Sequence, residues 1–223
     1  MSSPTSPDID ALHWRRLQPH DLDAMHALHL HSIEGMAVQT VKPETRDFLA
    51  SLLGGRGRVL GGWTGAALVA YGVLQHDLLA DDAPRALLGL PEGAPLCKLA
   101  GAAVHRAWRG HGLQRLLIQR RLELAGASSV LATSAPGNPA SWRSLLACGL
   151  SVRAVQYRYG GHARYLLARV PGELFRADES QALELGPQAL ERQQHLLAQG
   201  WRGVAAGRQD GHLRLLPGCA KDS

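Results

Sequence analysis

With 223 residues, 45% hydrophobic and 19% charged, the chain is long enough to bury a sizeable core and too apolar to remain disordered. The net charge of +5 comes from arginine, because Lys42, Lys98 and Lys221 are the only lysines; the planar guanidinium suits phosphate, although a general surface bias gives the same count. No stretch nears the roughly twenty apolar residues of a membrane span, and the start lacks a basic-then-apolar leader, so a cytoplasmic protein without a membrane partner is expected. Cys97, Cys148 and Cys219 are odd in number and widely spaced, which fits neither a disulfide framework nor paired zinc ligands, and they read as reduced thiols.

Residues 1–9 read as a flexible tail. A short strand is predicted from His13 to Gln18, and Pro19-His20-Asp21 offers an N-cap for a helix with Leu22, Met25 and Leu28 on one side, running to about Ser32. His26, His29 and His31 fall in it, but the last leaves the face shared by the first two, so no metal site is expected. Pro43-Glu44 opens a second helix bearing Phe48, Leu49, Leu52 and Leu53, closed by Gly54-Gly55. Arg58 to Trp63 and Ala67 to Gln75, joined by Thr64-Gly65, read as an antiparallel hairpin. Residues 77–95, rich in Pro, Gly, Asp and Leu, form a loop long enough to be functional.

Leu96 to Val104 is apolar and small, the pattern of a buried central strand, followed by a glycine loop and a helix whose apolar side is Leu113, Leu116, Leu117, Leu122 and Leu124. Ser129 to Thr133 is the next buried strand. Asn138-Pro139 starts a helix through Ala147, stopped by Gly149, and Ser151 to Tyr159 and Tyr165 to Arg169 are further strands. After Pro171 the texture changes: strand-like Ala182 to Leu185, a helix from Pro187 to Gln199, then strand-like Trp201 to Ala205 and His212 to Leu216. Residues 171–223 are therefore expected to be a small appended unit, which could cover a sheet edge, form a homodimer or restrict substrate access.

The segment Arg109-Gly110-His111-Gly112-Leu113-Gln114 carries the chemistry. A helix starting here aims unpaired N–H groups at the loop, and two glycines let an anion approach the backbone, the geometry of a phosphate cradle; glycine at such a turn is more often just a tight turn, so the two glycines alone are weak evidence. The dinucleotide pattern G-x-G-x-x-G fails at Arg115, and no P-loop is present.

The stretch instead resembles the acyl-CoA signature of the GNAT superfamily: arginine or glutamine, two spacers, glycine, one spacer, then glycine or alanine. Arg109 and Gly112 match it. Gln114 departs from it, carrying a side chain where the family usually keeps none, but its backbone donor remains. Asn138-Pro139-Ala140-Ser141 through Cys148-Gly149-Leu150 resembles the family's later motif, and the element order over residues 10–170 resembles its fold. The resemblance implies an α+β fold, a mixed and mostly antiparallel central sheet flanked by helices, with residues 10–170 as the acyltransferase domain. It also implies acetyl-CoA, or another acyl-CoA, as cosubstrate, with no metal.

By the same analogy Ala102, Ala103 and Val104 would pair with the pantetheine arm as an added strand. Arg109, Gly110, His111, Gly112, Leu113, Gln114 and Arg115 would hold the pyrophosphate, and Asn138 would bond the arm or act as an ordinary N-cap. Acyl transfer to an amine needs a base and an acid. The position where the family often has a tyrosine acid is Leu145, which cannot donate a proton. Tyr157 and Tyr159 are candidate acids, with half-buried packing as the plain alternative. Glu34 is the candidate for amine binding, and His76, Asp77 and His105 are candidate bases, though each could be a solvated loop residue. The expected function is N-acyl transfer from acyl-CoA to the amine of a small molecule, peptide or protein. The alternative is a non-catalytic acyl-CoA-binding sensor. No nucleic-acid partner is expected, because basic and aromatic residues are not interleaved.

Overall fold

The computed structural model describes residues 7–37, 39–80 and 83–219; residues 1–6 of the expected tail and Lys221 lie outside the described residues. Four strands, β1 (His13–Arg16), β2 (Gly57–Thr64), β3 (Ala67–Gln75) and β4 (Leu96–Val104), pair antiparallel in sequence order. The helix α3 (Leu113–Ala125) then carries the chain across to β5 (Ser129–Ser134), which lies parallel to β4, as a helical crossover between neighbouring strands requires. β5 pairs antiparallel with β7 (His162–Arg169), and β7 with β6 (Ser151–Arg158). Three late strands, β8 (Leu183–Leu185), β9 (Arg202–Ala206) and β10 (Leu213–Leu216), complete a ten-stranded sheet in the order β1-β2-β3-β4-β5-β7-β6-β9-β10-β8.

Alternation along β3 shows how the two faces are covered. Tyr71 and Val73 pack with Met25 and Leu28 of α1 (Leu22–Ile33) and Leu49 of α2 (Arg46–Ser51). Ala70 meets Leu113 and Leu117 on the opposite face, and Leu74 meets Ile118. Helix α4 (Pro139–Leu146) lies on this second face, where Trp142 sits edge-on to Tyr165. Residues 83–95 form turns rather than regular elements, and Leu88 fixes them to Leu96, Leu131 and Leu166. No helix among the described residues is long and apolar enough to cross a membrane.

Four local differences from the sequence expectation have physical causes. Asp21 does not cap α1 with its side chain; it accepts bonds from both Arg15 nitrogens, at 2.6 and 2.7 Å, and from the Gln18 N–H at 2.8 Å. Helix α2 starts at Arg46, because the Thr45 hydroxyl accepts the Phe48 N–H at 3.2 Å, so Glu44 stays outside the helix. On α3 the helical period puts Arg121 in the buried stripe and leaves Leu124 42% exposed. The buried guanidinium donates to the carbonyls of Leu117 (3.0 Å) and Val73 (3.2 Å).

The last difference concerns residues 171–219, which share the main core. β9 joins β6 through Val152 and Gly203, and Leu197, Leu213 and Leu215 cluster with Trp142, Val152 and Tyr165. Helix α5 (Leu190–Ala198) is tied down by Gln193, whose side-chain oxygen accepts the Tyr165 hydroxyl at 2.7 Å.

Candidate active site

The site arises where β4 and β5 part. β4 carries one extra residue against β3, because Gly72 faces Ala102 whereas Leu74 faces Leu99. Such a bulge bends the strand and re-aims the residues beyond it. Pairing of β4 with β5 ends at Leu99 and Ala132, while Thr133 and Ser134 continue only with β7. Past the bulge, the edge of residues 100–104 that faces β5 has no strand partner among the described residues, and it lines a cleft of about 760 Å³.

One end of the cleft is the glycine loop. Gly110 and Gly112 both have positive φ, 84° and 80°, a region L-residues enter only at a cost, and Gly112 caps α3 without any side-chain bond to the helix. The flanking N–H groups are satisfied, Arg109 bonding the Arg106 carbonyl and Arg115 that of Gly112, but the N–H groups of residues 110–114 have no acceptor among the described residues. Successive free donors at a helix start make an anion cradle. Arg109 anchors it: Nε donates to the Val104 carbonyl (3.2 Å) and Nη2 to that of Ser32 (2.6 Å). Asn138 does two things, capping α4 through the Ser141 N–H (3.3 Å) and lining the cleft beside Ser144 and Leu145.

No protein-family model and no curated protein matches the chain by sequence. Solved structures do match by shape. A GNAT-family acetyltransferase from Streptococcus pneumoniae aligns at a TM-score of 0.55 and 16% identity, covering 72% of this chain and 99% of that one. The ribosomal-protein-S18-alanine N-acetyltransferase from Escherichia coli gives 0.54 and 15%, covering 74% and 99%. A putative acetyltransferase from Salmonella typhimurium, solved with acetyl-CoA, gives 0.55 and 17%, covering 75% and 98%.

The fold is that of the GNAT acetyltransferases. Within this GNAT fold the cosubstrate candidates of the sequence converge: Ala102, Ala103, Val104, Arg109, Gly110, Gly112, Leu113, Gln114, Arg115 and Asn138 all line the one cleft, and His111 stands exposed at the turn between the two glycines.

The catalytic candidates do not converge. Glu34 closes α1 on the outside and pairs with Arg106 at 3.4 Å, its side chain 69% exposed. β3 ends at Gln75, after which His76 stands exposed and Asp77 turns away to Arg56 (3.1 Å). Tyr157 lies on β6, separated from the cleft by β7, and is 57% exposed. His105 stacks on His31 at 4.4 Å and accepts the Ala107 N–H through Nδ1; burial and then the His31 neighbour push its pKa down. None of these five lines the cleft.

The cleft is lined as well by Lys42, Glu44, Gln75, Lys98, Thr133, Tyr159 and Arg164. Glu44 is the one carboxylate among the described lining residues, and it lies 3.5 Å from Lys42. It is placed by His29, whose Nε2 accepts the Glu44 backbone N–H at 2.9 Å; Nδ1 must then carry the proton and donate to the Tyr71 hydroxyl oxygen at 3.1 Å. Burial favours this neutral imidazole, with the nearby His26 a smaller cause, and burial also keeps Tyr71 protonated. No sequence pattern marks Glu44 beyond helix initiation. Of these seven, Tyr159 alone is a candidate on sequence grounds, as the second of two strand tyrosines, and it lies one residue past the end of β6.

Proposed function

We propose that the chain is an acyl-CoA-dependent N-acyltransferase, most simply an acetyltransferase. The observation that carries the reading is the run of free N–H groups at residues 110–114 beside the unpartnered edge of β4, a place for a pyrophosphate next to a place for an amide-bearing arm. Acetyl-CoA is bound to the Salmonella neighbour of the same fold, and the Escherichia coli neighbour acts on an alanine amine; both support the assignment.

In this reading the cradle holds the phosphates, Ala102 to Val104 pair with the pantetheine amides, and Asn138 and Ser144 flank the arm. The acceptor enters from the end lined by Glu44. Glu44 takes the proton from the acceptor's ammonium, the free amine attacks the thioester carbonyl, the C–N bond forms, and the C–S bond breaks to release the thiolate. Leu145 supplies no proton to that thiolate; the second proton, which the amine nitrogen sheds as the amide forms, reaches it through water.

The test is thiol release from acetyl-CoA in the presence of a panel of primary amines. The expected result is amine-dependent release, with Glu44→Gln lowering kcat by about ten-fold or more while the affinity for acetyl-CoA stays unchanged. Loss of the reading would follow if acetyl-CoA failed to bind. Tight binding without transfer to any amine would instead establish the sensor module, a second reading favoured by Leu145.

A further inference from the structure

The acceptor end of the cleft holds a charge that the fold leaves unanswered. Arg164, on β7, is only 4% exposed. Its Nη1 donates to the carbonyls of Gln39 (2.7 Å) and Ala163 (2.9 Å), while Nη2 is buried with no hydrogen-bond partner. No carboxylate of the described residues forms an ion pair with it. Moving a guanidinium out of water is expensive unless an anion or a full set of acceptors replaces the lost hydration. Neutral carbonyls on one nitrogen do not complete that set.

The surroundings sharpen the imbalance. The Tyr159 ring lies 5.6 Å from the Arg164 guanidinium and 5.1 Å from the Lys42 ammonium. Tyr159 is the one non-glycine residue with positive φ among the described residues, at 54°. A tyrosine held there is strained, and such strain collects where a side chain must be presented to a ligand. Arg164 therefore forms one wall of the cleft, under an aromatic cover and near a second cation, with an unused pair of donors. Lys42 is already near Glu44, whereas Arg164 has no carboxylate partner among the described residues.

We propose that the acceptor is a small primary amine that also carries a carboxylate, of the amino-acid class, with the carboxylate bound by Arg164 beneath Tyr159 and the amine directed to Glu44. This rests on the acyltransferase reading above. A planar carboxylate fits the fork of a guanidinium, and it would supply the acceptors that the buried Arg164 lacks. An amine without an anionic group would leave the Arg164 charge buried and unmatched.

The experiment compares matched acceptors: phenylalanine, phenylalaninamide and phenethylamine, and likewise lysine, lysinamide and cadaverine. In at least one set the acid should exceed its amide in kcat/KM by about ten-fold, the value of one charged hydrogen bond. In Arg164→Gln that ratio should fall to about one, chiefly through KM, and Arg164→Lys should restore only part of it. Where no member of the panel is turned over, calorimetry of the CoA-loaded protein with N-acetylphenylalanine and N-acetyllysine supplies the same comparison. Binding lost in Arg164→Gln supports the proposal. Equal use of acid and amide, an acid preference that survives Arg164→Gln, or failure of both N-acetyl acids to bind overturns it. Acetyl-CoA titration of each variant alone keeps the two claims apart: unchanged affinity with no acid preference defeats the carboxylate site only, whereas absent affinity in the parent defeats the acyltransferase reading itself.

Discussion

Replacing Gly112 by alanine separates the cost of the cradle's backbone from its use. Gly112 has φ of 80°, and an ideal Cβ built there meets no heavy atom within 4 Å, so no clash contributes. The remaining cost is that of an L-residue in the left-handed region, about 1–2 kcal/mol. In a chain of this size that lowers Tm by roughly 2–8 °C. Alanine relieves the strain by rotating φ toward negative values, which turns the adjoining N–H groups away from their common focus. Each hydrogen bond to a charged phosphate is worth about 1.5–3 kcal/mol. Loss of one therefore weakens coenzyme A binding by roughly 10- to 100-fold. Calorimetry with coenzyme A measures this, and pantetheine, which lacks the pyrophosphate, is the control whose affinity should not move. If Gly112→Ala shows the expected fall in Tm yet binds coenzyme A as the parent does, the N–H groups of this turn do not hold the phosphates and the cradle argument fails.

Two further predictions concern the frame that carries the site. The Arg15 hydrogen bonds, more than the Gln18 N–H, hold the Asp21 carboxyl at a pKa of about 2, below the ordinary 3.8. A depressed carboxylate pKa gives stability that is fully present above pH 3.8 and is lost as pH falls through about 2. With Arg15 about a third exposed, the contribution is about 1–2 kcal/mol. Denaturant titrations between pH 4 and 2 should show the parent losing its advantage over Asp21→Asn; a constant difference across that window would refute the pairing. Gly72→Ala should destabilise by about 1–3 kcal/mol in urea unfolding. Its Cβ would lie 2.7 Å from Nε of Arg121, a side chain held by two carbonyls and unable to withdraw. Unchanged stability would mean that Arg121 has another place to go.

Much of the fold could be read along the chain because its signals are local. The alternation of β3, the small apolar run of β4, the glycines before α3 and Asn138 before α4 each fix the backbone of a few residues, and their order restricts the architecture. The glycine-loop end of the cleft is legible for the same reason: it is built from consecutive main-chain donors, and a glycine pattern reports main-chain geometry directly. Arg121 and Leu124 show the limit of that reading, since one helical step decides which is buried, and the buried one needs Gly72 from a strand far away in sequence to make room.

The half of the cleft lined by Glu44 is not legible. Glu34, His76, Asp77 and Tyr157 qualify on sequence grounds by lying near the ends of elements, and each faces solvent. Glu44, Tyr159 and Arg164 come from a loop, a hairpin turn and a strand that have no common spacing. What the sequence determined by itself was the order of elements and the place where free N–H groups gather at a helix start, because both depend on short stretches of backbone. Which side chains meet across the cleft was decided by tertiary structure alone, through the bulge in β4 and its parting from β5, because contacts between distant segments are set by packing and leave no periodic trace in the chain.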